Sequence, residues 1–410
     1  MEGADQSAGV TRFVCKTSKT RRPTEPHRPL DYRHNMAHRL GLARRVASSA
    51  TWRGSTGAST SIGASTSSTS FTASFSTGPP GSDEAPLAHE WIEPPGSNHA
   101  DAPVALVLHG LMGSGRNWRT FTRALSAQLA RGGTPWRFAL VDHVWHGHTF
   151  GDAKHRERRN PSRETLTNGA CAVDLAARAI GDFATHVRAT QGGTRVAAVL
   201  GHSLGGKIAL KHLARLHLDD SLPNHPTQWW SLDSVPSAVS ATTDPHGVQR
   251  VIDAIRSLPK TFASREELTE KLLSLPGAFP KDLIDWLGTN LAPVHPHEGV
   301  NSRLTWMFDP DGVAALYASY KRDDGALRVA LDPPQRDGSS ACEVHVVRAE
   351  RSTRWPAETE SALVKRSETA GSRLRYHVLP NAGHWLHVDN PGGLRDLIAP
   401  ELARLHRSLP

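Results

Sequence analysis

Two segments far apart in the chain contain residues suited to nucleophilic catalysis. Ser203 is the centre of a Gly-x-Ser-x-Gly pentapeptide, and His384 lies in the late segment Pro-Asn-Ala-Gly-His-Trp, residues 380–385. A serine hydroxyl attacks a carbonyl carbon only when a base removes its proton and returns it to the leaving group. The spacing therefore predicts Ser203 as a nucleophile and His384 as its general base.

The residues on both sides of Ser203 support this prediction. The apolar run Val196 to Leu200 precedes the pentapeptide and is typical of a buried strand, and the run Lys207 to Leu216 has a helical pattern. A sharp turn between a strand and a helix, with glycines providing space, is the nucleophile elbow. We therefore expect Ser203 to lie in such an elbow.

The third member of the triad is a carboxylate that orients the imidazole. Asp233 ends the predicted strand after the nucleophile helix, and Glu350 follows the strand that usually supplies the acid. Both stay open as candidates from the sequence. Asp311 is a weaker third candidate, since its position before Gly312 favours a helix cap.

Acyl transfer also needs donors for the oxyanion. Two main-chain N–H groups are predicted for this role: that of Leu204, directly after the nucleophile, and that of Leu111, in the loop that follows the first long strand. Their side chains are then free to line an acyl pocket together with Met112 and Trp385. His387 is expected to be structural or to face the cap.

The elements that must position these residues alternate between strand and helix from about residue 87 onward. Such alternation predicts an α/β fold with a mostly parallel sheet and helices on both faces. Residues 237 to about 330 interrupt it with helical patterns and without a predicted strand. We expect a folded domain over residues 83–410 with a helical cap inserted at about 237–330.

Residues 1–82 form a separate segment. They contain 11 Lys/Arg against 4 Asp/Glu, and a Ser/Thr-rich tract runs from 48 to 77. The start at Met36 has the pattern of a short basic amphipathic helix. This composition is typical of an organelle transit peptide, with a mitochondrial address or, as the alternative, a chloroplast one. Met36 is a second candidate initiator.

Composition also argues against several classes of function. Residues 83–410 are nearly neutral, so the net charge of +8 does not predict a nucleic-acid partner. Three cysteines do not make a disulfide scaffold or a zinc motif, and no apolar run is long enough for stable membrane insertion. The segment 142–148 is rich in histidine, but further ligands at suitable spacing are missing, so no metal is predicted.

Over about residues 87–405 the chain resembles the α/β-hydrolase superfamily, and within it the group of mitochondrial alpha/beta hydrolase domain-containing protein 11 and related bacterial esterases. The resemblance is carried by the segments 109–114 (His-Gly-Leu-Met-Gly-Ser), 201–207 (Gly-His-Ser-Leu-Gly-Gly-Lys) and 380–385. It implies an α/β-hydrolase fold with a helical cap, a Ser203 and His384 pair, a small acyl ester or thioester as substrate, no cofactor and often an organelle location. The histidines of 142–148 depart from the group's pattern.

The leading hypothesis is therefore a serine hydrolase that cleaves a carboxylic ester or acyl thioester through an acyl-enzyme on Ser203. A ligand-binding or receptor-like protein that retains the fold is the alternative. Labelling of Ser203 by an active-site probe would separate the two.

Overall fold

The computed structural model describes residues 85–409 apart from short gaps (97–98, 153–155, 163–164, 166–170, 219–225, 240–246, 278, 296, 298–301, 324 and 335–341). All of these residues belong to the unit Thr66–Pro410. The predicted transit segment 1–82 lies outside the described residues. No helix in the described part of the chain has both the length and the apolarity that a bilayer span requires.

The central element is a seven-stranded sheet with the spatial order β1-β3-β2-β4-β5-β9-β10. β1 pairs with β3 in the antiparallel sense, and every other neighbouring pair is parallel. The predicted mostly parallel sheet is therefore confirmed. Its strands are β1 (His89–Ile92), β2 (Val104–Leu108), β3 (Arg137–Val141), β4 (Val196–His202), β5 (Gln228–Leu232), β9 (Glu343–Ala349) and β10 (Leu374–Leu379).

Helices cover both faces of this sheet. A 3-10 turn, Gly115–Trp118, leads into the first long one. The helices outside the insertion are α1 (Arg119–Arg131), α2 (Gly147–Gly151), α3 (Arg156–Arg159), α4 (Ala172–Thr190), α5 (Leu204–Leu218), α11 (Ala357–Ser367), α12 (Leu386–Asp389) and α13 (Pro391–Ser408).

Each buried strand supplies the core on both faces, because successive side chains of a strand point in opposite directions. In β2, Val104, Leu106 and Leu108 pack into the cluster that contains α4 and α5. Ala105 and Val107 pack into the cluster that contains α1 and α13. This accounts for the unbroken apolar run in the sequence, which is typical of a parallel strand buried on both sides.

The insertion between β5 and β9 contains both helices and strands in its described part. Its elements are α6 (Val248–Ser257), β6 (Thr261–Phe262), α7 (Arg265–Ser274), α8 (Lys281–Thr289), β7 (Leu291–Pro293), β8 (Leu304–Trp306), α9 (Pro310–Arg322) and α10 (Gly325–Leu331). The expectation that it has no strand is wrong, since β6, β8 and β7 form an antiparallel sheet. These strands have only two or three residues, too few to produce a recognisable alternation.

Lys207 connects the insertion to the nucleophile helix α5. Its side chain is fully buried, and Nζ donates to the carbonyl oxygens of Ser237 at 2.8 Å, Tyr320 at 2.7 Å and Asp323 at 3.0 Å. Ser237 lies where the chain enters the insertion, and the other two lie at the end of α9. One ammonium group therefore binds the start of the inserted segment to the end of α9.

Candidate active site

Ser203 follows β4 directly and precedes α5. Its φ of 52° lies in the left-handed region, which is uncommon for a residue other than glycine. A Cβ on Gly201 would lie 2.3 Å from the carbonyl oxygen of Gly205, and a Cβ on Gly205 would lie 2.5 Å from that of Leu108. The turn is thus as tight as the sequence predicted, and both glycines are required for it.

His384 contacts Asp233, which follows β5. Nδ1 of His384 lies 2.7 Å from Oδ2 of Asp233, and the Asp233 side chain is fully buried. A second contact holds the loop that contains His384 beside the elbow. Nε2 of His202 lies 2.8 Å from the carbonyl oxygen of His384, and the centroids of the two rings are 4.7 Å apart. With Nδ1 bound to the carboxylate, Nε2 is the ring nitrogen left for proton transfer.

Three further donors bind the Asp233 carboxylate. Oδ1 accepts from the Ala349 N–H at 3.1 Å and from Trp355 Nε1 at 2.8 Å, and Oδ2 accepts from Ser352 Oγ at 3.0 Å. Burial alone would raise the pKa of Asp233, but the hydrogen bonds from His384, Trp355 and Ala349 hold it at about 2. The group is therefore a carboxylate at any pH near neutrality.

Glu350, the other candidate acid, is exposed and has a different contact. Its Oε2 accepts from the N–H of Asn381 at 2.7 Å, in the loop that carries His384. The structure therefore brings Asp233 and not Glu350 to the imidazole. The backbone differs at the two positions, because Asp233 has a φ of 40° directly after β5, while Glu350 lies in the turn that follows β9.

Asp311 lies in the insertion, where its side chain forms an ion pair with Arg256 at 2.9 Å. The N-cap of α9 is Asp309, whose side chain accepts from the Asp311 N–H. The helix cap predicted at Asp311 is therefore wrong by two residues. The Pro310 at the first helical position marks the true start.

The loop that contains Leu111 lies against the elbow. A Cβ on Gly110 would lie 3.3 Å from Cβ of Ser203. Met112 has a φ of 57°, and its N–H donates to Nε2 of His146 at 3.0 Å. The N–H of Met112 is thus committed to His146, and the loop that presents Leu111 is held by a buried imidazole.

The histidine-rich segment after β3 supports this loop. Asp142 accepts from the N–H groups of Gly115 and His148, each at 2.7 Å. Burial lowers the pKa of His143 to about 3 and that of His146 to about 4, so both rings are neutral. His146 binds the Val144 carbonyl oxygen and the Met112 N–H through its two ring nitrogens, so both nitrogens serve the fold of the loop.

Several residues at the mouth of the site come from other elements. Trp385 is half-buried, and its ring lies 5.5 Å from that of Trp286 in the insertion. Leu111 packs against both the sheet domain and the insertion, and Leu204 is buried. His387 is buried and stacks on Trp118 with 4.1 Å between the ring centroids, in agreement with a structural role.

A separate cavity of about 770 Å³ opens between the segment 145–162 and the insertion. Its walls include Trp145, Phe150, Trp306 and Phe308, and Ser203, Asp233 and His384 are not among the residues that line it. The arrangement around Ser203 is therefore not part of this cavity, and the chemistry of the site does not identify an occupant for it.

Three residues that serve the site were not singled out from the sequence. These are His146, which binds the loop after β2, Trp355, which binds Asp233, and Lys207, which binds the insertion. Lysine is rarely fully buried unless its ammonium group is paired, so no signal in the sequence indicated the burial of Lys207. For His146 and Trp355 the partner lies 34 and 122 residues away, and only the fold brings them together.

Comparisons with known proteins agree with the architecture. A model of the alpha/beta hydrolase family matches residues 105–397. A stretch of 124 residues is 33% identical to the magnesium-chelatase 30 kDa subunit of Rhodobacter capsulatus, and it covers 30% of this chain and 33% of that subunit. The match thus spans about a third of the length of the curated relative.

Two solved structures show a similar fold. A marine microorganism esterase is 18% identical with a TM-score of 0.52, and the alignment covers 76% of this chain and 98% of the esterase. The peroxisomal alpha-beta-hydrolase Lpx1 of Saccharomyces cerevisiae is also 18% identical with a TM-score of 0.52, over 79% of this chain and 83% of the other. At these identities the likeness concerns the fold.

Proposed function

Because the chain belongs to the alpha/beta hydrolase family, we propose that it hydrolyses a carboxylic ester or acyl thioester through an acyl-enzyme on Ser203. The observation that carries the proposal is the 2.7 Å contact between His384 Nδ1 and Asp233 Oδ2, in a loop that is bound by His202, the neighbour of the left-handed Ser203. Acyl transfer requires a nucleophile, a neutral imidazole and an ionised acid. Ser203, Asp233 and His384 follow one another along the chain in the order that is usual for this fold.

In the proposed mechanism, Oγ of Ser203 attacks the acyl carbon while Nε2 of His384 takes the hydroxyl proton. The alcohol or thiol leaves with that proton, and the acyl group stays on Ser203. Water then attacks the acyl-enzyme, giving its proton to His384, which returns it to Ser203 as the carboxylic acid departs. Asp233 holds the imidazole in one tautomer and stabilises its protonated form.

The oxyanion in both steps is bound by main-chain N–H groups. We assign this role to Leu204, the first residue of α5, and to Leu111. The commitment of the Met112 N–H to His146 supports Leu111 as the donor in its loop. Removing a donor of this kind from an acyl-transfer site costs about 10²- to 10³-fold in kcat.

A fluorophosphonate probe and a p-nitrophenyl ester test the proposal together. Wild-type protein is expected to be labelled and to hydrolyse the ester, and Ser203→Ala is expected to lose both properties. Ser408→Ala, at the end of α13, is the matched control and should behave as wild type. A wild-type protein that is folded but neither labelled nor active would favour the ligand-binding alternative.

We also propose that the chain belongs to the group of mitochondrial alpha/beta hydrolase domain-containing protein 11, and that residues 1–82 direct it to the mitochondrion, with the chloroplast as the alternative. The segments 109–114, 201–207 and 380–385 support the first proposal, and the basic, Ser/Thr-rich composition supports the second. A reporter fused to residues 1–82 should enter the organelle. A reporter that stays in the cytosol would refute the targeting proposal.

A further inference from the structure

A cluster of polar residues lies at the end of the sheet opposite Ser203. Glu343 and His345 are at the start of β9, whereas Ala349 at the end of this strand donates to Asp233. Six residue steps along a strand span about 20 Å. Glu401, in the closing helix α13, completes the cluster, which therefore joins the sheet to the last helix away from the proposed hydrolytic site.

The potential ligand atoms of this cluster are close together. One carboxylate oxygen of Glu343, one of Glu401 and a ring nitrogen of His345 all lie within 4.8 Å of one another. Nε2 of His345 is 3.9 Å from Oε2 of Glu343, too far for a hydrogen bond. Small rotations of the two glutamates would bring all three atoms around one point.

The imidazole of His345 is fixed with one nitrogen pointing at this position. The residue is only 1% exposed, its ring stacks on Trp230 with 4.0 Å between centroids, and Nδ1 lies 3.2 Å from Nε2 of His377. Nε2 is buried without a hydrogen-bond partner. A buried polar atom in this state destabilises the fold, and a ligand at Nε2 would remove this penalty.

The charge around Nε2 is negative. Two carboxylates face one guanidinium, since Arg404 forms ion pairs with Glu343 and with Glu401. The Arg404 side chain is 51% exposed, so it can rotate into solvent without loss of buried packing. A divalent cation in place of the Arg404 guanidinium would balance the charges of both carboxylates and would also bind Nε2 of His345.

We propose that Glu343, His345 and Glu401 form a binding site for a divalent transition metal of the zinc class. One imidazole nitrogen and two carboxylate oxygens, with water in the fourth position, match the ligands and coordination number of Zn²⁺. The imidazole favours Zn²⁺ over Mg²⁺ and Ca²⁺, which prefer oxygen. His377 is the outer partner that orients His345, as metal-bound histidines require.

The bound metal would fasten α13 to the start of β9 and stabilise the folded state by mass action. It takes no part in the proposed hydrolysis, because the sheet separates it from Ser203. The inference therefore stands or falls independently of the proposed esterase activity, and the same preparation can be assayed for both.

The test is titration of the full chain with ZnCl₂, followed by calorimetry and by thermal unfolding. The wild type should bind one equivalent in this site and show a higher Tm with Zn²⁺ but not with Mg²⁺. His345→Gln and Glu401→Gln should each weaken binding by more than about tenfold and abolish the Tm shift. His406→Gln, a histidine on the same helix outside the cluster, is the matched control and should keep both.

The variant Arg404→Gln tests the proposal in the opposite direction, because it should bind Zn²⁺ more tightly than the wild type. Removal of the competing guanidinium should strengthen Zn²⁺ binding and enlarge the Tm shift, an effect that a merely structural ion-pair network would not give. No Tm shift in the wild type at about 1 mM Zn²⁺, roughly 100 times a Kd of ~10 μM, or a shift that persists in both His345→Gln and Glu401→Gln, would overturn the proposal.

Discussion

The imidazole of His384 lies 2.7 Å from the carboxylate of Asp233, a residue 151 positions earlier in the chain. Asp233 ends β5, the strand next to the one that ends in Ser203, and its own φ of 40° resembles the 52° of the serine. Two neighbouring strands are therefore each followed by a left-handed residue, the proposed nucleophile after one and the proposed acid after the other.

Asp233→Asn is expected to lower kcat by about 10⁴-fold, because an amide would favour the wrong imidazole tautomer. Glu350→Gln is the matched control, since its carboxylate accepts only from the main chain at Asn381, and it should keep activity within a few-fold of wild type. Steady-state ester hydrolysis measures both. An equal loss in the two variants would contradict the assignment of Asp233.

His146→Leu is expected to lower kcat by about 10- to 100-fold, because the Met112 N–H loses its acceptor and the loop with Leu111 shifts. His146→Gln should recover part of the loss, since a side-chain amide oxygen can accept from the same N–H. The control is His148→Ala, an exposed histidine two residues further on, in the first turn of α2. Unchanged kcat in His146→Leu would exclude this role.

The acid limb of the pH profile of kcat/KM, where activity falls as His384 becomes protonated, is expected to lie below pH 6.5. Burial and the charge of Arg354 lower the pKa of His384, against the opposing effect of Asp233. The base acts in its neutral form, so a lower pKa keeps it active at lower pH. Arg354→Gln removes a cation and should move the limb to higher pH, and a shift to lower pH would show that another group controls it.

Lys207→Met is expected to destabilise the fold by at least about 3 kcal/mol. Three carbonyl oxygens lose a hydrogen bond from a charged donor, and each such bond contributes about 1.5–3 kcal/mol. Lys365→Met, on the exposed face of α11, is the matched control and should change stability by less than about 0.5 kcal/mol. Urea unfolding would measure the difference, and equal midpoints would refute the role of Lys207 in holding the insertion.

The main fold was predictable because its signals are local. The predicted strand Val196 to Leu200 lies within Val196–His202, and the predicted helix Lys207 to Leu216 lies within Leu204–Leu218. β1, His89–Ile92, was not predicted, since it is a short edge strand whose side chains are mostly half-buried and whose sequence mixes polar and apolar residues. The helix Lys281–Thr289 was also missed.

The choice between Asp233 and Glu350 could not be made from the sequence. Both follow buried parallel strands, and the carboxyl ends of those strands lie at the same edge of the sheet. What separates them is the direction of the backbone after each strand, together with donors such as Ser352 and Trp355 that arrive from elsewhere in the chain. Neither is encoded by a local pattern.

Trp355 gives the site a built-in spectroscopic reporter. Its indole N–H donates to Oδ1 of Asp233 at 2.8 Å, on the oxygen that does not contact His384. A proton shared with a carboxylate is deshielded, so the indole resonance of this tryptophan should stand apart from those of the other tryptophans and follow the electron density on the acid. Acylation of Ser203, or protonation of the imidazole, could then be observed by NMR without modifying any residue that reacts.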